Sequence, residues 1–490
     1  MKLVKSLLLG SAAALVAGAG ALAADLPARR AAPVEYVRIC DAYGAGFFAI
    51  PGSDSCIKIG GRVRADFAAS QRSTTYNAAF FNPNTNIASD AVAIDGDSAN
   101  LYGWEARGRI DLDARTPTAW GTVQAVASLR LARTTGILQS QSLGLVTQGA
   151  SQGSTLEAAY IRFAGFTFGA SRDNFSFMPS TFYGAGHWAS FANGAKQIAY
   201  TAVLGGGFSA TLAIQDLGDT TGGARNVNTW FPPVGAAVTT TPPGLFAYNT
   251  MPQINARVDW DQAWGSAALM GAISTVNQTN NTGILGTSGD ASADKTVWAI
   301  GAGVKINLPM IAAGDVLYLN GAYADGMTEY TVNWLYTKTS DTRRNTGGFA
   351  IDNAPSWINY VDTNGNAGIQ TLKSWNLAAL YTHFWTPQWR HSFLVTGGRI
   401  EGSNVSNAAG FQFGGFGDAT VWNAGTQLAW LPTRNFEIGV DILYNRVSQD
   451  IGRVITTSAT PTSTTVGTGI LTTREKEGNW TGRVRVERTF

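Results

Sequence analysis

From Gly478 to Phe490 the sequence reads G-N-W-T-G-R-V-R-V-E-R-T-F and alternates almost without a fault. Trp480, Gly482, Val484, Val486 and Phe490 share one face; Thr481, Arg483, Arg485, Glu487 and Thr489 share the other. Successive side chains of a strand point to opposite faces, so this segment is a strand with one apolar and one charged side. Such a strand needs a different environment on each face and a hydrogen-bonding neighbour on each edge. Few architectures supply both along a whole chain.

Composition narrows them. Only 14% of the 490 residues are charged, 57 are glycine, and 11% are aromatic. Beyond the N-terminal segment, no apolar run approaches the roughly 18 residues a membrane helix requires. These features suit a wall with lipid on one face and water on the other. A large secreted β-sandwich or solenoid shares the same composition and stays open on that ground alone.

Residues 1–23 are expected to be a signal peptide. Lys2 and Lys5 give the positive start, Leu7 to Leu15 the short apolar region, and Ala21-Leu22-Ala23 the small-x-small cleavage site. Removing it leaves 33 basic against 33 acidic residues, so the overall balance implies no nucleic-acid partner. Residues 24–56 then read as a periplasmic leader containing Cys40 and Cys56. An isolated close pair in an exported chain is most simply a disulfide, and two thiols without a nearby His make a poor zinc site. The closed segment is expected to form a short hairpin outside the wall that follows.

From Ile57 to Phe490 the alternation recurs in sixteen stretches, a count uncertain by two. Seven connections are short, among them T-P-T-A-W before Gly121, Gly205-Gly206-Gly207 and Thr386-Pro387, while eight are long. An even number of strands with all the long connections at one end predicts a transmembrane antiparallel β-barrel, with short periplasmic turns and long extracellular loops. The tryptophans agree. Trp104, Trp298, Trp375, Trp422 and Trp480 fall near strand ends beside long loops; Trp120, Trp260, Trp264, Trp385, Trp389 and Trp430 fall beside short turns. Two belts at opposite ends match the preference of indole for both membrane interfaces.

Lipid offers no partners to exposed backbone groups, so such a wall must close. At 16–18 strands the interior is wide enough for water, which predicts a channel. The inward faces of the closing, first and second strands carry Arg483 and Arg485, then Lys58, Arg62 and Arg64, then Arg107 and Arg109. They predict a basic patch that would focus the field on passing solutes, interleaved with Asp66, Glu105, Asp111 and Glu487. Wall-stiffening ion pairs are the equal alternative. Arg162, Arg257 and Lys305 are isolated inward charges. The stretch 171–195, rich in Phe, Tyr and Gly with Arg172 and Asp173 as its clear charges, is the candidate constriction; a plain surface loop is the alternative.

The stretch V-R-I-C-D-A-Y-G-A-G-F-F-A-I-P-G-S-D-S-C-I-K-I-G-G-R-V-R, from Val37 to Arg64, resembles the opening of the alphaproteobacterial porin family, of the general Rhizobiales type. A-A-Y-I-R-F-A-G-F-T-F-G, from Ala158 to Gly169, resembles the strand pair that leads into that family's constriction loop. The resemblance implies an all-β, sixteen-stranded passive pore for small hydrophilic solutes and ions. It also implies a homotrimer in the bacterial outer membrane, with the third long loop folded inside. A terminal aromatic, here Phe490, implies recognition by the barrel-assembly machinery, and the membrane implies lipid and lipopolysaccharide contacts. The loop carries few acids, which puts opposed acidic and basic walls in doubt.

A solute-selective sugar or anion channel, a surface adhesin and a barrel hydrolase are the rivals. Against the last, only His187, His383 and His391 are present, with no G-x-S-x-G, H-E-x-x-H or complete G-x-G-x-x-G. No cofactor or metal site is expected.

Overall fold

The computed structural model describes residues 39–71, 102–138, 151–179, 182–183, 195–216, 226–228, 245–280, 292–332, 357–361, 367–402, 416–457 and 467–490, with two-residue pieces at 75–76, 81–82, 87–88 and 93–94. The expected signal peptide, residues 24–38 of the leader, and residues 180–181 and 184–194 of the candidate constriction, with His187, lie outside the described residues.

Sixteen long strands form the wall. In order they are β1 (Cys56–Ser70), β2 (Tyr102–Thr118), β3 (Gly121–Thr134), β4 (Ser151–Phe163), β5 (Phe166–Ser171), β6 (Ala195–Gly205), β7 (Phe208–Asp216) and β8 (Leu245–Gln262). The second half comprises β9 (Gly265–Asn280), β10 (Ser292–Asn307), β11 (Val316–Asp325), β12 (Lys373–Thr386), β13 (Trp389–Ile400), β14 (Phe416–Thr433), β15 (Phe436–Thr457) and β16 (Gly467–Thr489). Every strand pairs antiparallel with its sequence neighbours, and β1 also pairs with β16, which closes the barrel. The closing strand begins well before Gly478, since β16 runs from Gly467.

The seam shows why two adjacent glycines stand in β1. Gly61 and Phe490 exchange both backbone hydrogen bonds at 3.0 Å. A Cβ on Gly61 would lie 2.3 Å from the Arg109 carbonyl oxygen and 2.9 Å from the Phe490 ring. The terminal ring thus occupies the space a side chain would fill.

The outer face is apolar along its whole circumference: Ile59, Val63, Ile110, Leu129, Ile161, Ile198, Leu212, Leu269, Leu377, Val395 and Val484 are all exposed. Side chains left in contact with solvent in an isolated chain at this density require lipid. The eleven belt tryptophans expected from sequence are all exposed as well. Toward the long loops, Trp104 packs on Phe67 with ring centroids 4.7 Å apart, and Tyr444 lies between Trp422 and Trp480 at 5.3 and 5.0 Å. Toward the short turns, Trp260 stacks on Phe208 at 5.5 Å, and Trp389 on Trp430 at 6.2 Å.

Cys40 and Cys56 are disulfide-bonded. The closed segment forms its hairpin, Phe48–Ala49 pairing with Cys56 and Ile57. It does not stand clear of the barrel, however. Arg115, an inward residue at the short-turn end of β2, lies 5.8 Å from the Tyr43 ring centroid and 4.8 Å from that of Phe47. Cation–π attraction thus draws the hairpin across the rim of the lumen.

Candidate functional site

The inner face divides into two halves of different chemistry. From β16 through β1 to β4 it is charged. Asp66 accepts two hydrogen bonds from Arg485 at 2.7 Å, and Arg483 lies 3.7 Å away. Glu487 pairs with Arg64 at 2.7 Å and Arg62 at 3.8 Å; Glu105 pairs with Arg107 at 2.8 Å, and Asp111 with Arg109 at 2.7 Å. The expected basic patch is therefore a lattice of ion pairs, and both sequence readings meet in it. Arg62, Arg64, Arg107, Arg109, Arg483 and Arg485 each sit beside a carboxylate, so field and rigidity come from the same residues.

One carboxylate of that lattice escapes the sequence pattern. Ile161 faces outward, and strict alternation would send Glu157 outward too. A register irregularity opposite Ser128 and Leu129 inserts an extra residue. A bulge re-aims the side chain it carries. Glu157 turns inward and meets Arg109 at 3.1 Å and Arg130 at 3.3 Å.

From β9 to β14 the inner face is mostly small and apolar, which a bare aqueous lumen would not tolerate. Two segments cover it. The first follows β5. Phe175 packs with Met270, Ala272, Val297, Ala299 and Tyr330; Met178 and Phe182 pack with Leu380, Leu394 and Leu443. The second is Met327 to Val332, whose Tyr330 ring lies 4.2 Å from that of Phe175. Glycines on β10 make room: a Cβ on Gly301 would lie 2.8 Å from the Phe175 ring, and one on Gly303 would lie 2.3 Å from that of Phe177.

Polar contacts pin the first segment at both ends. Asp173 accepts hydrogen bonds from the Phe175 N–H at 3.0 Å, Gln215 at 3.1 Å and Asn255 at 3.3 Å. Arg257 donates to the carbonyls of Asn174 and Ser176 at 3.1 and 2.8 Å. Arg172 donates to the Met178 carbonyl at 2.9 Å; burial among the wall and the neighbouring Arg257 lower its pKa from the ordinary arginine value. Across the lumen, the Tyr183 N–H donates to Asp441 at 2.7 Å, and the Tyr183 carbonyl accepts from Arg483 at 2.6 Å. The Tyr183 hydroxyl donates to Glu437, and burial followed by the Glu437 charge raises its pKa, so it stays protonated.

Every arginine expected inside lies on the inner face or in this segment, but they do not form one cluster. Arg483 and Arg485 flank Tyr183, with Arg485 4.4 Å from its ring centroid. Lys58 sits lower, over Phe47 at 5.9 Å, and Arg162 stands apart over Tyr160 at 4.7 Å. Sequence reasoning missed Arg115, Arg130, Glu157 and Asp441. The first two are readable from strand parity, and Glu157 is not.

A lipid-facing exterior, paired aromatic belts and a charged interior entered by an inward-folded segment define a closed outer-membrane β-barrel. The chain belongs to the porin subfamily, whose family model matches residues 25–468. It is 35% identical over 238 residues to Porin Omp2b of Brucella canis, covering 45% of this chain and 56% of that one. Porin Omp2a of the same species is 33% identical over 254 residues, covering 47% and 61%. The aligned part thus spans little more than half the length of these relatives. Among solved structures, the outer membrane channel DcaP of Acinetobacter baumannii shares the fold at a TM-score of 0.53 and 14% identity, over 89% of this chain and 97% of that one.

Proposed function

We propose that the protein is a passive diffusion channel for small hydrophilic solutes and ions. The observation that carries this reading is the division of the inner wall. The in-folded segment covers the apolar half and leaves the ion-paired half from β16 to β4 facing water. Apolar cover on one side and charge on the other leave a wetted passage bounded by fixed charges, which is what selects among solutes in a pore. On this reading Lys58, Arg62, Arg64, Arg107, Arg109, Arg162, Arg172, Asp173, Arg483 and Arg485 line or narrow the path. Membership of the porin subfamily supports a channel over an enzyme; a homotrimer, export by residues 1–23, and Phe490 as the assembly signal belong to the same reading.

Reconstitution in a planar bilayer tests it. Discrete conductance steps are expected, without hydrolysis of lipid or peptide substrates. Replacing Arg62, Arg64, Arg107 and Arg109 by Gln together leaves Glu487, Glu105, Asp111 and Glu157 without those partners. The reversal potential in a salt gradient then moves toward cation preference. A silent bilayer would remove the channel, and an unmoved reversal potential would remove these residues from its selectivity.

A further inference from the structure

A cavity of about 670 Å³ opens in the wall between β2 and β7, running from the short-turn end up to the root of the in-folded segment. Its lining includes Arg115, Arg162 and Arg172 and holds no carboxylate. Among the described arginines of the inner face, nearly all have an acid within ion-pair distance, as in the pairs of Arg64, Arg109, Arg257, Arg390 and Arg485. Arg162 and Arg172 are the exceptions, and they line the same cavity. Arg162 rests on the Tyr160 ring, and Arg172 bonds a backbone carbonyl. The acid next to Arg172 is Asp173, whose carboxylate is engaged by the Phe175 N–H, Gln215 and Asn255.

We propose that this cavity is an anion-binding station on the wall of the channel, taking the carboxylate or phosphate of a small organic solute between Arg162 and Arg172. A guanidinium presents a planar fork of donors that matches both oxyanions, and two forks in one hollow, neither of them ion-paired, favour a bound anion over a protein partner. The volume suits a solute the size of a sugar acid or sugar phosphate. Thr122, Thr201 and Thr211 offer hydroxyls to such a solute, and Tyr43 offers a ring. Asp113 holds Arg115 at 2.8 Å and accepts from Gln124 at the edge of the lining, whereas Arg162 and Arg172 are bound to no acid among the described residues, so an anion between those two breaks no internal ion pair. It deepens the channel reading, on which it rests.

The test separates the two. The detergent-solubilised full chain is titrated at low ionic strength with inorganic phosphate and, separately, with gluconate, and heat is measured. Saturable binding of either anion is expected, weakened roughly tenfold by Arg162→Gln or by Arg172→Gln, as for loss of one charge-assisted hydrogen-bonding group. Arg162→Lys should fall between wild type and Gln, because it keeps the charge and loses the fork. Arg133→Gln, on the outward face of β3, should bind like wild type, and folding of every variant is checked by heat-modifiable gel migration. Binding by both anions assigns the site to oxyanions in general, and binding by one assigns it to that geometry. No binding of either, or equal binding by wild type and the double Gln variant, overturns the station. Bilayer conductance is scored independently. Steps without saturable binding discard the station and keep the channel, while binding without steps does the reverse.

Discussion

At the scale of single residues, Glu157 shows how much one register slip can carry. Its carboxylate lies between Arg109 and Arg130, at 3.1 and 3.3 Å, and so holds two positive charges in balance on the lumen wall. Replacing it by Gln leaves Arg130 without its acid and Arg109 with Asp111 alone. Glu157→Gln is therefore expected to move the reversal potential toward anion preference, opposite to the fourfold arginine variant, while the barrel still folds. A shift in the same direction as the arginine variant would sink the assignment. Asp315 makes a different point at the turn before β11. Burial would raise the pKa of its carboxylate, but hydrogen bonds outweigh it and hold the group below the usual range: His383 at 2.7 Å, the Phe384 N–H at 2.9 Å and Tyr381 at 2.7 Å. A depressed folded pKa contributes stability above the unfolded value of about 3.9, lost as pH falls through the folded value. Between neutral pH and about pH 3, wild type should lose more denaturant resistance than Asp315→Asn, and parallel curves would show the bonds to be incidental.

Among the elements, the in-folded segment after β5 depends on the floor beneath it more than on its own sequence. Its aromatic content was visible in Phe175, Phe177, Phe182 and Tyr183, but whether such a loop turns in or out is decided by what it finds. The deciding signals lie far away in the chain: Gly301 and Gly303 on β10, and Asp441 on β15. No local pattern links them to residues 171–195, and that is why the surface-loop alternative stayed open in the sequence. Widening the floor residues tests the dependence directly. In Gly301→Val the new side chain meets the Phe175 ring, and overpacking of this kind costs about 1–3 kcal/mol. The segment is expected to lift, giving larger unit conductance and faster proteolysis near residue 175, with heat-modifiable migration retained. Unchanged conductance would mean that this segment does not narrow the path.

For the whole molecule, legibility followed the two solvents. Wherever a strand separates lipid from water, as Ile59 and Val63 do from Arg62 and Arg64, period two is enforced and the sequence states the strand. Where the interior is itself packed, as at Met270, Leu380 and Leu394, both faces are apolar, so strand positions survived in the reading but the covered half of the lumen did not. Closure joins these parts, because the pairing of β1 with β16 brings the first and last strands of the wall together. The seam holds Asp66, 1% exposed, bonded twice by Arg485 and faced by Arg483. Removing one partner from a buried pair leaves an uncompensated charge and costs about 3–5 kcal/mol, more than the pair itself contributes. Asp66→Asn strands two guanidiniums at the closing seam, and is expected to lower the temperature at which the barrel loses its heat-modifiable form. Adding Arg485→Met removes one of the stranded charges and should recover part of the loss, because an apolar side chain of similar length replaces the buried pair without needing a partner. If the double variant were less stable than Asp66→Asn alone, the seam would be held by the arginine's packing on Tyr183, 4.4 Å away, and charge balance would be secondary there.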